Sequence, residues 1–206
     1  MIQSKVTREF PLALRTPFDE TDLLVTPHKV APVIVFRNQE LVAQPMKFSL
    51  LPRWSKEPKV KFATHNARLE SIIEKPTWRD SFKKRHCIVP MTSFIEPIYE
   101  GREAGHMVSF HKPDMNWLMA AGIWDEWTNK ESGEVIESFS IITTTPLAFV
   151  ETSGHDRSPL FLSAKAAEEW LKAVSGDVDW LSAKAERPDV TLTRFRAMKP
   201  GWEKRR

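Results

Sequence analysis

The sequence predicts an α+β fold built on a largely antiparallel, barrel-like sheet with a few flanking helices. Short apolar runs rich in β-branched and aromatic residues, each bounded by turn residues, dominate the chain and predict strands. Helical patterns are fewer, and they do not alternate regularly with these runs, which argues against a parallel, doubly wound sheet. The predicted strands are 29–36, 41–48, 86–95, 106–111, 117–124 and 138–144.

Turn and capping residues place the remaining elements. Residues 129–133 (NKESG) predict a hairpin turn between two of these strands. Ser163 is a suitable N-cap for a helix over 164–174, and Gly176 is a suitable stop for it. Further helices are predicted over 67–75, 77–85 and 177–185.

The composition is that of an ordinary globular protein. The chain has 206 residues, 41% hydrophobic and 28% charged, which predicts a single domain over 1–206 with a flexible basic C-terminal tail. Cys87 is the one cysteine, so no intramolecular disulfide forms, as in reducing compartments. The sequence opens without a signal-peptide pattern, and no apolar run approaches the ~18 residues of a membrane helix. We therefore expect a monomeric cytoplasmic protein, associated with the nucleoid if it binds DNA.

The charge distribution weakly indicates a phosphate-bearing partner. The net charge is +3 and the isoelectric point about 9.0. Basic residues gather in 47–68, in 83–85 and at the C-terminal end, although any one such cluster is more often a solvated face. The sequence has no glycine-rich phosphate loop, no paired-cysteine zinc pattern and no histidine pair at helical spacing around a glutamate. Neither a metal nor a nucleotide cofactor is therefore expected.

Two segments combine side chains that suit a nucleic acid. Arg53 and Trp54 follow a strand and a proline turn. If both are exposed, the guanidinium would neutralise phosphate and the indole would stack on a base; the alternative is a core tryptophan beside a surface charge. Asn66 opens the run NARLES. It is either the N-cap of a helix or an amide that holds a reactive group, with Arg68 as an anion clamp.

Two other segments carry groups that suit proton transfer. Glu96 ends an apolar strand, where a carboxylate in a pocket would shuttle protons. His155 opens the run HDRSP, and an imidazole exchanges its proton near neutral pH. Arg157 in the same run would suit a phosphate. Cys87 lies inside an apolar run and fits a small core residue better than a nucleophile.

Taken together, these segments resemble the SOS-response-associated peptidase family. Members of the family read, in order, N-V-A-P, WGL-x-P-x-W, N-A-R-x-E, R-R-C-[LI]-x-P, G-[FW]-[YF]-E-W, A-G-[LI]-W and H-D-R-M-P. The corresponding segments here are LVTPHKVAPVIV at 24–35, FSLLPRW at 48–54, NARLES at 66–71, RHCIVP at 85–90, SFIEP at 93–97, AGIWDEW at 121–127 and HDRSP at 155–159. The order is kept over residues 24–160, which makes the resemblance specific.

The resemblance implies a protein that binds single-stranded DNA at abasic sites and links to them covalently. In the family, an N-terminal cysteine condenses through its amine with the ring-opened sugar aldehyde, and its thiol closes a thiazolidine. By match of motif, Asn66 would position the amine, Glu96 would move protons, and His155 would assist ring opening and the competing β-elimination. The residues expected to contact the DNA are Arg53, Trp54, Arg68 and Arg157.

The chain departs from the family at its first residues, which read Met-Ile-Gln-Ser where the family has Met-Cys-Gly-Arg. Three hypotheses account for this departure. A Met-Cys start lies upstream; or the α-amine of Met1, a group that titrates near pH 8, forms a reversible Schiff base; or the protein binds damaged DNA without covalent chemistry.

Other departures are smaller. Ser49, Pro97 and Ser158 stand where the family motifs have Gly, Trp and Met. A different function, a conventional thiol protease built on Cys87 and His155, is the remaining alternative. It predicts that peptide cleavage is lost when the thiol is replaced.

Overall fold

Strands dominate the part of the chain that the computed structural model describes, residues 2–4 and 23–199. In chain order they are β1 (Ile2–Ser4), β2 (Leu23–Val25), β3 (Val30–Arg37), β4 (Glu40–Phe48), β5 (Asn66–Arg68), β6 (His86–Met91), β7 (Ser93–Ile98), β8 (His106–His111), β9 (Leu118–Thr128), β10 (Val135–Thr144), β11 (Ser158–Pro159) and β12 (Thr191–Ala197). The helices are α1 (Pro76–Lys84), α2 (Ala148–Thr152), α3 (Ala164–Lys172) and α4 (Val178–Lys184), with a 3₁₀ turn at Leu69–Ser71.

Among the described strands, five close into a barrel in the order β10–β4–β3–β6–β9, because β9 pairs back with β10. Its neighbours are antiparallel except β10 and β4, which run parallel. Beyond β4, β5 continues as a parallel partner of β10, while β11 pairs antiparallel with the end of β10. The predicted α+β class with a largely antiparallel, barrel-like sheet is therefore confirmed.

A second sheet has the order β12–β8–β7–β1–β2 and is antiparallel throughout. Its strand β7 follows β6 after a single residue, Thr92. The prediction of one continuous strand over 86–95 is therefore wrong, because its two halves belong to different sheets. The side chains of Phe94 and Phe110, stacked with ring centroids 5.2 Å apart, join the same apolar cluster as the barrel interior.

Period-two alternation along the barrel strands separates two apolar clusters. On β3, Val33 and Val35 belong to the cluster with members from all five barrel strands, which fills the barrel. Ile34 between them belongs to the cluster that packs under the helices. Trp170 of α3 is fully buried in that outer layer and stacks on His86 with ring centroids 3.8 Å apart.

The end of α3 differs from the prediction. Ser163 caps its start as expected, because its hydroxyl accepts a hydrogen bond from the amide of Ala166 at 3.2 Å. The helix ends at Lys172, before the predicted end at residue 174, so Gly176 is not its stop. A Cβ on Gly176 would lie 2.1 Å from the carbonyl oxygen of Phe82, so this glycine permits a close approach to the end of α1.

The helix predicted over 67–75 is wrong. Residues 66–68 form β5 and only a 3₁₀ turn follows, because Ala67 is buried and its strand completes the ladder on β10. Pairing with a distant strand overrides local helix propensity here. Asn66 is consequently a strand residue and not a helix N-cap.

The other local predictions are confirmed. The structure has helices over most of 77–85 and 177–185. In the 129–133 turn, the amide of Asn129 donates to the carbonyl of Glu134 at 2.8 Å. No helix in the described part of the chain is long and apolar enough to cross a membrane. The basic tail lies outside the described residues from 200 onward.

Candidate functional site

Glu96 and His155 meet at the end of the second sheet. The imidazole Nε2 of His155 lies 3.6 Å from a carboxylate oxygen of Glu96, and both side chains are largely shielded from solvent. Gly154 makes this approach possible. It adopts φ +94°, and a Cβ there would lie 2.5 Å from the carbonyl oxygen of Glu100, just beyond β7.

The amino-terminal strand leads to this pair. In the antiparallel register of β1 on β7, Ile2 stands opposite Phe94 and Gln3 opposite Ser93. The amino-terminal end of β1 therefore lies at the Glu96 end of β7.

Asn66 and Arg68 lie on one face of β5, opposite the buried Ala67. Within the described residues, the Asn66 side chain makes no direct hydrogen bond to Glu96 or His155. Its neighbour His65 lies within electrostatic reach of Glu96: burial lowers the pKa of His65, and the negative charge of Glu96 opposes part of that shift. The structure thus places the neighbour of Asn66 close to Glu96, and in the part of the chain that it describes it shows no hydrogen bond from Asn66 to the pair.

Arg157 connects the two sides of this region. Its guanidinium donates to both carboxylate oxygens of Glu70, at 3.1 and 2.8 Å, and to the carbonyl of Thr143 at 2.8 Å. Thr143 is the ladder partner of Arg68. Burial alone would raise the pKa of Glu70, but the contact with Arg157 and the charge of Arg68 bring that pKa below its usual value.

Arg53 and Trp54 form a separate patch. The guanidinium of Arg53 pairs with Asp125 at 2.9 Å while about half of its side chain stays exposed. Trp54 is 52% exposed, so the alternative of a core tryptophan is wrong. Its indole N–H donates to the carbonyl of Pro76 at 3.3 Å. Within the described residues, neither side chain contacts Glu96 or His155.

Cys87 is unsuited to nucleophilic chemistry. It is fully buried in the barrel, and burial raises the pKa of its thiol. A Cβ on Gly122 would lie 2.8 Å from its sulfur, so that glycine leaves room for the cysteine. A thiol protease built on Cys87 and His155 is therefore contradicted.

Sequence reasoning did not single out three residues that shape this region, namely Glu70, Gly154 and Asp125. All of them lie in or beside segments that it did select, NARLES, HDRSP and AGIWDEW. The sequence did offer one indication of Glu70 and Asp125, because each is an acidic residue in a motif that could pair with an arginine of another motif. Across residues 2–4 and 23–199, no group of three or more His, Cys, Asp or Glu side chains is arranged to hold a metal ion.

A family model described as SOS response associated peptidase (SRAP) matches residues 3–196. This chain belongs to the SRAP family. Among its curated SRAP relatives is the abasic site processing protein YoqW of Bacillus subtilis, 30% identical over 145 residues, with 70% of this chain and 64% of YoqW covered. The abasic site processing protein HMCES of Pongo abelii is 26% identical over 183 residues, with 71% and 52% covered. The chain thus spans less than two thirds of the length of these relatives.

Solved structures support the SRAP fold assignment. A protein from Bacteroides thetaiotaomicron superposes with a TM-score of 0.67 at 28% identity, covering 81% of this chain and 75% of that protein. A protein from Bordetella bronchiseptica gives a TM-score of 0.76 at 21% identity, covering 95% and 98%.

Two departures from the SRAP motifs have visible structural consequences. Ser158, which replaces Met, is buried, and its hydroxyl accepts a hydrogen bond from the amide of Leu147 at 3.0 Å, just before α2. Ser49, which replaces Gly, has φ +102°. Its buried hydroxyl has no hydrogen-bond partner among the described residues.

Proposed function

We propose that this SRAP protein captures abasic sites in single-stranded DNA by forming a covalent bond to the ring-opened sugar. The observation that carries the proposal is the Glu96–His155 pair at the amino-terminal end of β1. Relatives named abasic site processing proteins support it. A substrate of this kind would bring the protein to chromosomal DNA.

The chemistry begins with an amine at the amino-terminal end of β1. Its nitrogen attacks the C1 aldehyde of the opened sugar and forms a C–N bond, giving a carbinolamine. The Glu96 carboxylate accepts the proton that the nitrogen loses. The same carboxyl delivers that proton to the sugar oxygen as the carbinolamine forms. A second proton then follows the same path from nitrogen to oxygen, so that the oxygen leaves as water and an imine remains. A cysteine carried at that position would add a thiol that closes a ring on the imine.

His155 supplies the second proton-transfer group. Its Nε2 lies 3.6 Å from a carboxylate oxygen of Glu96, so a small movement of either side chain would bring the two groups into hydrogen-bond distance. On the sugar, it would protonate the ring oxygen during opening or remove the proton on C2 during β-elimination. Asn66, the first residue of β5, would orient the amine through its side-chain amide.

The DNA would reach the site along basic and aromatic groups. Trp54 offers an exposed face for base stacking, and Arg53 and Arg68 offer charge for the backbone. Arg157 is engaged by Glu70 in the structure, so its contact with phosphate requires exchange of that partner.

A trapping assay tests this function. The protein is incubated with a single-stranded oligonucleotide that carries one abasic site, in the presence of borohydride, and the products are separated on a denaturing gel. We expect a covalent adduct, slowed on the order of 10²-fold in Glu96→Gln, because the general acid–base group is lost. Cys87→Ala should retain capture, because its thiol is buried.

The control substrate carries a tetrahydrofuran analogue, which lacks the aldehyde and should be bound but never trapped. If the wild-type protein binds the authentic abasic oligonucleotide as well as it binds the analogue, and forms no covalent adduct with either, the covalent proposal is wrong. The protein is then a non-covalent reader of damaged DNA.

A further inference from the structure

We infer that Asp125 is a positioning residue that fixes the Arg53–Trp54 turn in the conformation that holds a DNA strand. This inference rests on the proposed function, since it assigns the turn to DNA binding. Asp125 lies on β9 in the AGIWDEW segment, and its side chain is almost completely buried.

The carboxylate of Asp125 lies between two arginines. One oxygen accepts from Arg53 Nε at 2.9 Å and lies 3.2 Å from Arg85 Nε. The other accepts from the backbone amide of Arg53 at 3.0 Å. Asp125 thus holds both the main chain and the side chain of Arg53, and a buried charge-assisted contact of this kind is strongly directional.

Neighbouring residues of the turn are held by other contacts. The indole of Trp54 donates to the carbonyl of Pro76 at the start of α1. The carbonyl of Ser55 accepts from the indole of Trp127, on the same strand as Asp125, at 2.8 Å. Residues 53–55 therefore form a preorganised turn, and preorganisation lowers the conformational entropy lost on binding.

The free groups of this turn face outward. Arg53 uses Nε for Asp125, and its Nη nitrogens make no hydrogen bond within the described part of the chain. Its side chain is half exposed, as is Trp54. The lysine-bearing segment 56–61 follows directly. One DNA strand could thus place a phosphate on Arg53 and a base on Trp54 at the same time.

The direction in which one substitution changes DNA affinity distinguishes a positioning role of Asp125 from a general electrostatic effect. Asp125→Asn removes a negative charge beside Arg53, so a general field effect predicts tighter DNA binding. Loss of a positioning contact predicts weaker binding. We expect the affinity for undamaged single-stranded DNA to fall roughly fivefold, as for one lost charge-assisted contact.

A double-mutant cycle locates the effect. We expect Arg53→Ala and Asp125→Asn each to weaken binding, and the double variant to bind no more weakly than Arg53→Ala alone. In the abasic capture assay, Asp125→Asn should raise the DNA concentration needed for half-maximal rate and leave the maximal rate unchanged. That split would not arise from a general loss of folded protein.

Glu137→Gln is the matched control. Glu137 pairs with Arg37 in a partly buried ion pair between β10 and β3, and its loss changes the net charge equally without touching the turn. It should leave DNA affinity unchanged or slightly higher. Tighter binding by Asp125→Asn, or additive effects in the cycle, would overturn the inference.

Arg53→Lys covers the case in which Asp125→Asn does not fold. Lysine keeps the charge but lacks the Nε–H that donates to Asp125, so we expect its affinity for DNA to fall roughly fivefold, as for loss of the same contact in Asp125→Asn. Full affinity in Arg53→Lys would contradict the role of Asp125. Wild-type protein that binds no single-stranded DNA overturns both the proposed function and this inference. Wild-type capture with unaffected variants overturns the inference alone.

Discussion

At the scale of single residues, Ser49 combines two unfavourable features. Its φ of +102° lies in a region that favours glycine, and its buried hydroxyl has no partner among the described residues. Ser49→Gly removes both. We expect the free energy of unfolding to rise by about 1 kcal/mol, because strain and an unpaired buried hydroxyl are relieved. Urea denaturation measures this change.

Asn38→Gly provides the comparison for that prediction. Asn38 also has positive φ, at +51°, but asparagine tolerates this conformation. Its replacement should therefore change the unfolding free energy little. A Ser49→Gly protein that is less stable than the wild type would show that the hydroxyl makes a stabilising contact.

At the scale of elements, the ion pair between Glu70 and Arg157 joins the 3₁₀ turn after β5 to the loop that carries His155. Glu70→Gln weakens this link, although half of the glutamate side chain is exposed and its contribution to stability is small. We expect the rate of abasic-site capture to fall roughly threefold to tenfold, because His155 loses part of its orientation. Single-turnover trapping measures the rate.

The matched variant for that prediction is Glu168→Gln. Glu168 pairs with Lys172 within α3, and its side chain is about as exposed as that of Glu70. Its loss should leave capture unchanged. Equal rates in Glu70→Gln and wild type would mean that His155 is oriented by its own turn alone.

Prediction from sequence succeeded for elements whose pattern is local. The strands β3, β4, β8 and β10 alternate or stay apolar over enough residues to be recognised. It failed where pairing with a distant strand determines the secondary structure, as at residues 66–68, which form a strand because they pair with β10. It also missed β12, because that edge strand is mostly exposed and polar.

At the scale of the whole molecule, the buried His86 and the partly buried His65 predict acid sensitivity. Burial lowers the pKa of His65 and of His86, the latter against opposing contacts with the carbonyls of Phe82 and Trp170. A neutral ring donates to only one of these carbonyls. The unfolded chain therefore takes up protons at a higher pH than the folded protein. The contribution to stability is present above pH 6.5 and is lost as the pH falls below 6.5 through the lowered pKa values of the folded state.

Urea denaturation at about pH 7.5 and about pH 5.5 checks this sign. We expect a lower midpoint at the acidic pH, and a smaller difference in His65→Gln, which no longer titrates there. A higher midpoint at the acidic pH would mean that the imidazolium of His86 holds both carbonyls and outweighs the cost of burial.

The overall architecture followed from the sequence further than the site did. Period-two patterns and sparse helices indicate the fold class by themselves. The approach of Glu96 to His155 depends on Gly154 and on the break between β6 and β7 at Thr92. Neither is a property of one local pattern, so only resemblance to a family grouped these residues, and their roles stay predictions.

The strand β10 also determines how much of the chain must be synthesised before the barrel can form. It pairs with β4 and β5, both far earlier in the chain, and with β9 and β11. Such distant pairings close late in folding. Until residue 144 has left the ribosome, the barrel cannot close and β5 has no partner strand. A nascent chain would therefore acquire Asn66 and His155 in place only after most of it has been translated.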